Sequence, residues 1–168
     1  MARRAGAFGY QVKFHDPALT HCPDGLAQSC SFDALLAQAD ILTLHLPLTP
    51  TTHHLLNEHN LAKLKPGAAL VNTSRGGLVD TDSLLQALDS GQLNQALLDV
   101  VEYEPAVPPE LRGHVRVALT PHAAFYSQRS LSILKARALQ TLRAMLVETA
   151  SVTSDKWLRQ DQEGETHA

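Results

Sequence analysis

Five strand-length apolar runs punctuate the chain: "YQVKF" (10–14), "DILTLHL" (40–46), "AALVN" (68–72), "QALLDVV" (95–101) and "VRVALT" (115–120). Each is mostly continuous rather than alternating, the pattern of strands covered on both faces. Helical patterns separate them. "SFDALLAQA" (31–39) opens on a serine cap and places Phe32, Leu35, Leu36 and Ala39 at helical spacing. "EHNLAKLK" (58–65) is a short helix stopped by Pro66-Gly67. "DTDSLLQALDSG" (80–91) has an aspartate cap, a Leu84-Leu85-Leu88 face and Gly91 at its end. Residues 123–148 read as one helix with Leu131, Leu134, Ala138, Leu142 and Met145 along one side. Strands alternating with helices mean βαβ crossovers and a mostly parallel sheet, so the fold class is α/β, doubly wound. Residues 1–150 form the domain. Residues 151–168, mostly polar with Trp157 as the largest apolar residue, form a tail expected to fray.

Composition narrows the function classes. The 168 residues suffice for one domain with a real core. A net charge of −3, with Lys and Arg scattered, gives no nucleic-acid surface. No apolar run approaches the ~20 residues of a membrane helix. Cys22 and Cys30 form neither a CxxC nor a zinc set and read as free thiols of a reducing compartment, with the cytoplasm as default. His53, His54 and His59 contain no HExxH, so spacing predicts no metal site.

In an open parallel sheet, ligands sit at the carboxyl ends of the strands. These ends carry His15-Asp16, His45-Leu46-Pro47, "NTSRGG" (72–77), Asp99 followed by Glu102 and Glu104, and "TPHAA" (120–124). An arginine can hold a carboxylate through two parallel hydrogen bonds. A histidine can exchange a proton near neutral pH, and a carboxylate on its other nitrogen orients it and favours the imidazolium. Together they match the needs of 2-keto acid reduction, with hydride from a nicotinamide cofactor.

Four segments, "ADILTLHLPLTPTTHHLLN", "LKPGAALVNTSRGGLVD", "ALLDVVEYEP" and "LTPHAAFYS", resemble in order and spacing the NAD-binding part of the D-isomer-specific 2-hydroxyacid dehydrogenases. The segment "HAAFYS" is most similar to the C-terminal-binding-protein branch, which includes transcriptional corepressors. The resemblance implies a Rossmann-like domain and three catalytic residues: Arg75 on the substrate carboxylate and carbonyl, His122 as acid/base, Glu104 as its partner. It ranks Glu104 above Glu102, because the family motif ends in Glu-Pro. It places Asp16 on the adenosine ribose, which favours NAD over NADP, and Asp99 toward the nicotinamide end. Leu46, Pro47, Thr52, Thr73, Ser74, Ala123 and Ala124 would line the cofactor cleft with Arg75 and His122, and Gly76-Gly77 would let the backbone pass close to the ligands. The implied partners are a small 2-keto or 2-hydroxy acid and, as often in the family, a second copy in a homodimer. The rival readings are an NAD-sensing, corepressor-like interaction protein and a non-functional remnant.

The pattern breaks at one point. No G-x-G-x-x-G occurs; Gly6 and Gly9 in "AGAFGY" match the end of the first Rossmann helix instead. By resemblance, the first strand, the phosphate-binding turn and the substrate domain are missing, as in a fragment or a gene with a misplaced start. In the order 3-2-1-4-5-6, that loss is expected to leave "YQVKF" and "AALVN" at open edges. The expectation for the chain alone is weak or no NAD binding and negligible turnover.

Overall fold

The computed structural model describes the backbone of residues 1–163 and the side-chain surroundings of residues 1–146. It divides into two compact units, residues 1–124 and 125–168. The first holds α1 (Ala2–Ala7), β1 (Lys13–Phe14), β2 (Gln28–Ser29), α2 (Phe32–Gln38), β3 (Ile41–Leu44), α3 (Glu58–Ala62), β4 (Ala68–Asn72), α4 (Thr81–Asp89), β5 (Leu93–Leu98), α5 (Pro109–Gly113) and β6 (Val117–Leu119). The second holds α6 (Gln128–Glu163).

All strand pairings within the two sheets are parallel. One sheet is β1-β2 and the other β3-β4-β5-β6. The expected α/β class with a parallel, Rossmann-like sheet is what forms. Strand order corrects one expectation: "AALVN" is not at an edge but sits between β3 and β5, and the edge strand is β3 from "DILTLHL". The miscount comes from β2. Two residues, one polar and one small, carry no apolar signal, so the strand that pairs with β1 was invisible and every later strand moved up one place. A second correction concerns the faces. The strands alternate: β4 buries Ala68, Leu70 and Asn72, while Val71 is half-buried. Leu97 of β5 and Ile41 of β3 are exposed. One face of this sheet holds the core of the first unit. The other is partly open among the described residues, so the continuous apolar runs overstate burial.

The core is largely leucine: Leu36, Leu56, Leu61, Leu70, Leu78, Leu84, Leu88, Leu93 and Leu111 are each at most 2% exposed. Helix ends follow the expected chemistry. Ser31 Oγ accepts from Ala34 N, Asn57 Oδ1 from Asn60 N and Asp80 Oδ1 from Ser83 N, each satisfying an amide that the first turn leaves without a helical partner. Gly67 and Gly91 close turns at positive φ.

The C-terminal helix starts at Gln128, not at 123, because Ser127 supplies its cap: Ser127 Oγ accepts from Ser130 N at 3.0 Å. It runs to Glu163. Leu134, Leu142 and Met145, expected on a packed side, are exposed. Trp157 lies outside the residues whose side chains are described. No described helix is long and apolar enough to cross a membrane. Cys22 and Cys30 are unpaired.

Candidate active site

The carboxyl ends of β4, β5 and β6 are stitched together by their own polar groups. Asp99, directly after β5, is 5% exposed. Its Oδ1 accepts from the Thr120 hydroxyl and, at 2.8 Å, from Ala123 N; its Oδ2 accepts from Ala124 N, also at 2.8 Å. Burial by itself would raise the Asp99 pKa. The Thr120 and amide hydrogen bonds, with a smaller contribution from the His122 charge, outweigh it and hold the carboxyl below its usual range. This buried carboxylate shapes the loop 120–124 that carries His122.

His122 has a left-handed backbone, φ 51°, and its N–H donates to Asp99 O and Thr120 O at 2.9 Å each. Among the described residues, the non-glycine positions with positive φ are His122 and His54, and a conformation of that kind persists only where its surroundings impose it. His122 Nδ1 lies 2.8 Å from Glu104 Oε2. Glu104 Oε1 in turn accepts from Val101 N at 2.8 Å, which fixes the carboxylate plane. The structure therefore joins two of the three expected catalytic residues directly, across 18 positions of sequence.

Arg75 follows β4 and is exposed, with Nη1 donating to Ser74 O at 2.6 Å. The segment beneath it is rigid. Asn72, 1% exposed, donates from Nδ2 to Arg75 O at 2.9 Å and accepts from Ser74 N at 3.0 Å. Ser74 Oγ donates to Leu44 O at 2.7 Å, tying the ends of β3 and β4. Gly76 then passes so close to the next strand end that a Cβ there would lie 2.0 Å from Val101 C and O and 2.5 Å from Glu102 N. The glycine after Arg75 is thus required by the chain's own backbone. It brings the Arg75 segment against the segment that ends in Glu104.

The remaining expected residues sit as follows. Asp16, exposed after β1, accepts from Ala18 N at 2.8 Å. Leu46 packs against the core, and Pro47 O accepts from Thr52 Oγ, which closes the turn from 47 to 52. Thr73 is exposed beside half-buried Ser74. The Ala123 and Ala124 amides both point their hydrogen bonds at Asp99.

A cluster that the sequence did not bring out lies alongside. Glu102 Oε1 is 2.5 Å from His54 Nε2, and Glu102 Oε2 accepts from Thr81 Oγ1 at 2.8 Å and Thr81 N at 3.3 Å. His54 Nδ1 is 3.3 Å from Asp80 Oδ2. Burial would raise the Glu102 pKa, but the hydrogen bonds from His54 and Thr81 overcome it and keep the carboxyl below its ordinary value. Glu102 is engaged in this cluster, whereas Glu104 pairs with His122.

The fold and the strand-end chemistry define a Rossmann-like nucleotide-binding α/β domain. Residues 1–124 match the family model described as D-isomer specific 2-hydroxyacid dehydrogenase, NAD binding domain, and the chain belongs to that family. It is similar to 4-methyl-2-oxopentanoate reductase A of Aspergillus oryzae, 38% identical over 154 residues that cover 91% of this chain and 47% of the relative. D-3-phosphoglycerate dehydrogenase of Bacillus subtilis is 44% identical over 124 residues, 73% of this chain and 24% of that protein. Among solved structures, a glyoxylate reductase from Paecilomyes thermophila superposes with a TM-score of 0.80 at 40% identity, covering 85% of this chain and 44% of the other. A D-lactate dehydrogenase of Aquifex aeolicus, crystallised with NAD and lactic acid, gives 0.78 at 30% identity, covering 89% and 50%. The chain thus spans about half the length, or less, of the curated relatives it matches.

Proposed function

We propose that this chain supplies the NAD-binding half of an active site that interconverts 2-oxo acids and D-2-hydroxy acids. The observation that carries the proposal is the 2.8 Å pairing of His122 Nδ1 with Glu104, on a strand end whose neighbour presents Arg75.

The residues present suit a dinucleotide at its two ends. Asp16 offers a carboxylate beyond β1 for ribose hydroxyls, which favours NAD over a 2′-phosphorylated cofactor. Asp99 and the 120–124 loop stand at the far strand ends, where a nicotinamide would lie. Leu46, Pro47, Thr52, Thr73 and Ser74 line the path between. When bound, NADH supplies the hydride. The protein's own task is the proton and the charge. Arg75 releases Ser74 O and takes the acid's carboxylate through its paired N–H groups. With Nδ1 held by Glu104, His122 passes its proton through Nε2 to the substrate oxygen. Glu104 stabilises the imidazolium and keeps the ring in register, itself anchored on Val101 N.

The reading is tested by titrating the labelled chain with millimolar NAD, then with a 2-oxo acid, and following backbone amides. Shifts centred on Asp16, Thr73, Arg75, Asp99 and residues 120–124 are expected, and Arg75→Ala should abolish the response to the acid. Shifts confined to other surfaces, or none at all, would defeat it. Micromolar affinity for NAD would overturn the expectation of weak binding.

A second reading, an NAD-sensing interaction protein of the corepressor branch, is favoured by the segment "HAAFYS". Co-purification of a transcription factor, without 2-oxo acid reduction by any longer form of the protein, would select it.

A further inference from the structure

We propose that His53, His54 and Glu102 form a site for a divalent transition-metal ion of the zinc class, separate from the Arg75–Glu104–His122 group. One donor atom from each of the three lies within 4.8 Å of the other two. Two imidazoles and a carboxylate are a zinc donor set, and tetrahedral coordination at ~2.0–2.2 Å asks for donors about 3.3 Å apart.

The backbone explains why two neighbouring histidines serve one site. Consecutive residues normally send their side chains apart. His54 instead has φ 50°, fixed by its N–H donating to Gly77 O at 2.9 Å. The two rings consequently stack, centroids 3.9 Å apart and planes 26° from parallel.

The supporting groups are those a metal centre needs. His54 Nδ1 faces Asp80 Oδ2 at 3.3 Å, which leaves Nε2, the nitrogen turned to Glu102, as the ligating atom. Glu102 is 11% exposed in its side chain, and Thr81 holds its Oε2, leaving Oε1 toward His54. The 2.5 Å His54–Glu102 contact is where a cation would lie between the two donor atoms, opening the pair by less than an ångström. His53 is exposed, so ions have an entry path and a water could complete the coordination. Spacing could not reveal such a site, because Glu102 stands 48 residues from His54. A bound ion would cross-link the 49–56 turn to the segment that leads into Glu104.

The test is titration of the intact chain with Zn2+ by calorimetry and with Co2+ by visible absorption. One ion per chain is expected, with the intense absorption of tetrahedral Co2+. His53→Ala removes an exposed ligand and leaves the fold intact; it should weaken Zn2+ binding at least tenfold. Asp80→Asn should weaken it about tenfold by the loss of the orienting carboxylate. His59→Ala should change nothing. Absence of binding at millimolar Zn2+, or binding untouched by His53→Ala, would overturn the proposal, even if His54→Ala or Glu102→Gln failed to fold.

Discussion

Gly76→Ala is the perturbation that examines the architecture most directly. The added methyl would lie 2.0 Å from Val101 C and O and 2.5 Å from Glu102 N, more than an ångström inside van der Waals contact. The obstructing atoms are backbone, so no rotamer change relieves them. The chain must part at the junction of the Arg75 and Glu104 segments. That breaks the close packing there and strains the 3.0 Å Val79 N to Gly76 O bond that closes the next turn. Ordinary overpacking costs about 1–3 kcal/mol. An obstruction by backbone belongs at or above the top of that range, so about 3 kcal/mol or more is expected. For a domain of this size the melting temperature should drop by roughly 10 °C or more. Gly77→Ala is the internal control. Its Cβ would meet Leu48 Cδ2 at 3.1 Å, the tip of an exposed, flexible side chain. A cost below about 1 kcal/mol is expected there. The assay is urea unfolding of the two variants beside the parent. A Gly76→Ala protein within about 0.5 kcal/mol of the parent, the spread of ordinary surface changes, would refute the close approach and the account of why an arginine is followed by glycine.

Three further outcomes follow from the same geometry. Asp99→Asn replaces an acceptor of three hydrogen bonds by a group that can satisfy only part of them; a loss of about 2–3 kcal/mol is expected in urea unfolding, with faster hydrogen exchange at Ala123 and Ala124. Glu104→Ala leaves Val101 N without its acceptor, and the Val101 amide should exchange about tenfold faster, the equivalent of ~1.4 kcal/mol, while amides of α4 stay unchanged. Asp80, Asp99 and Glu102 all have pKa values lowered in the folded state, so each contributes stability that is complete above the unfolded carboxyl value near ~4 and is lost as pH falls through the lower folded value; urea midpoints should fall steeply once pH drops below ~4, less steeply in Glu102→Gln.

Much of this was legible along the chain, and the reason is local. Helix caps at Ser31 and Asp80, stops at Gly67 and Gly91, and five of the six strands depend on neighbours within a few residues, which sequence displays. The family motif marked Arg75, Glu104 and His122 because their order and spacing are recurrent. The strand Gln28–Ser29 escaped because two residues without apolar side chains have no period to detect, and its omission misplaced the sheet edge. The start of the last helix was misplaced because Ala123, Ala124, Phe125 and Tyr126 carry no stop signal, whereas the Ser127 cap begins it at Gln128.

The sequence alone therefore determined the fold class and the family, since these follow from period, caps and motif order. Tertiary structure alone decided three matters: that Gly76 is demanded by Val101, that Asp99 builds the loop under His122, and that His54 meets Glu102 and Asp80. Each is a contact between segments more than twenty positions apart, and the separation of two atoms in space is set by packing, not by the length of chain between them.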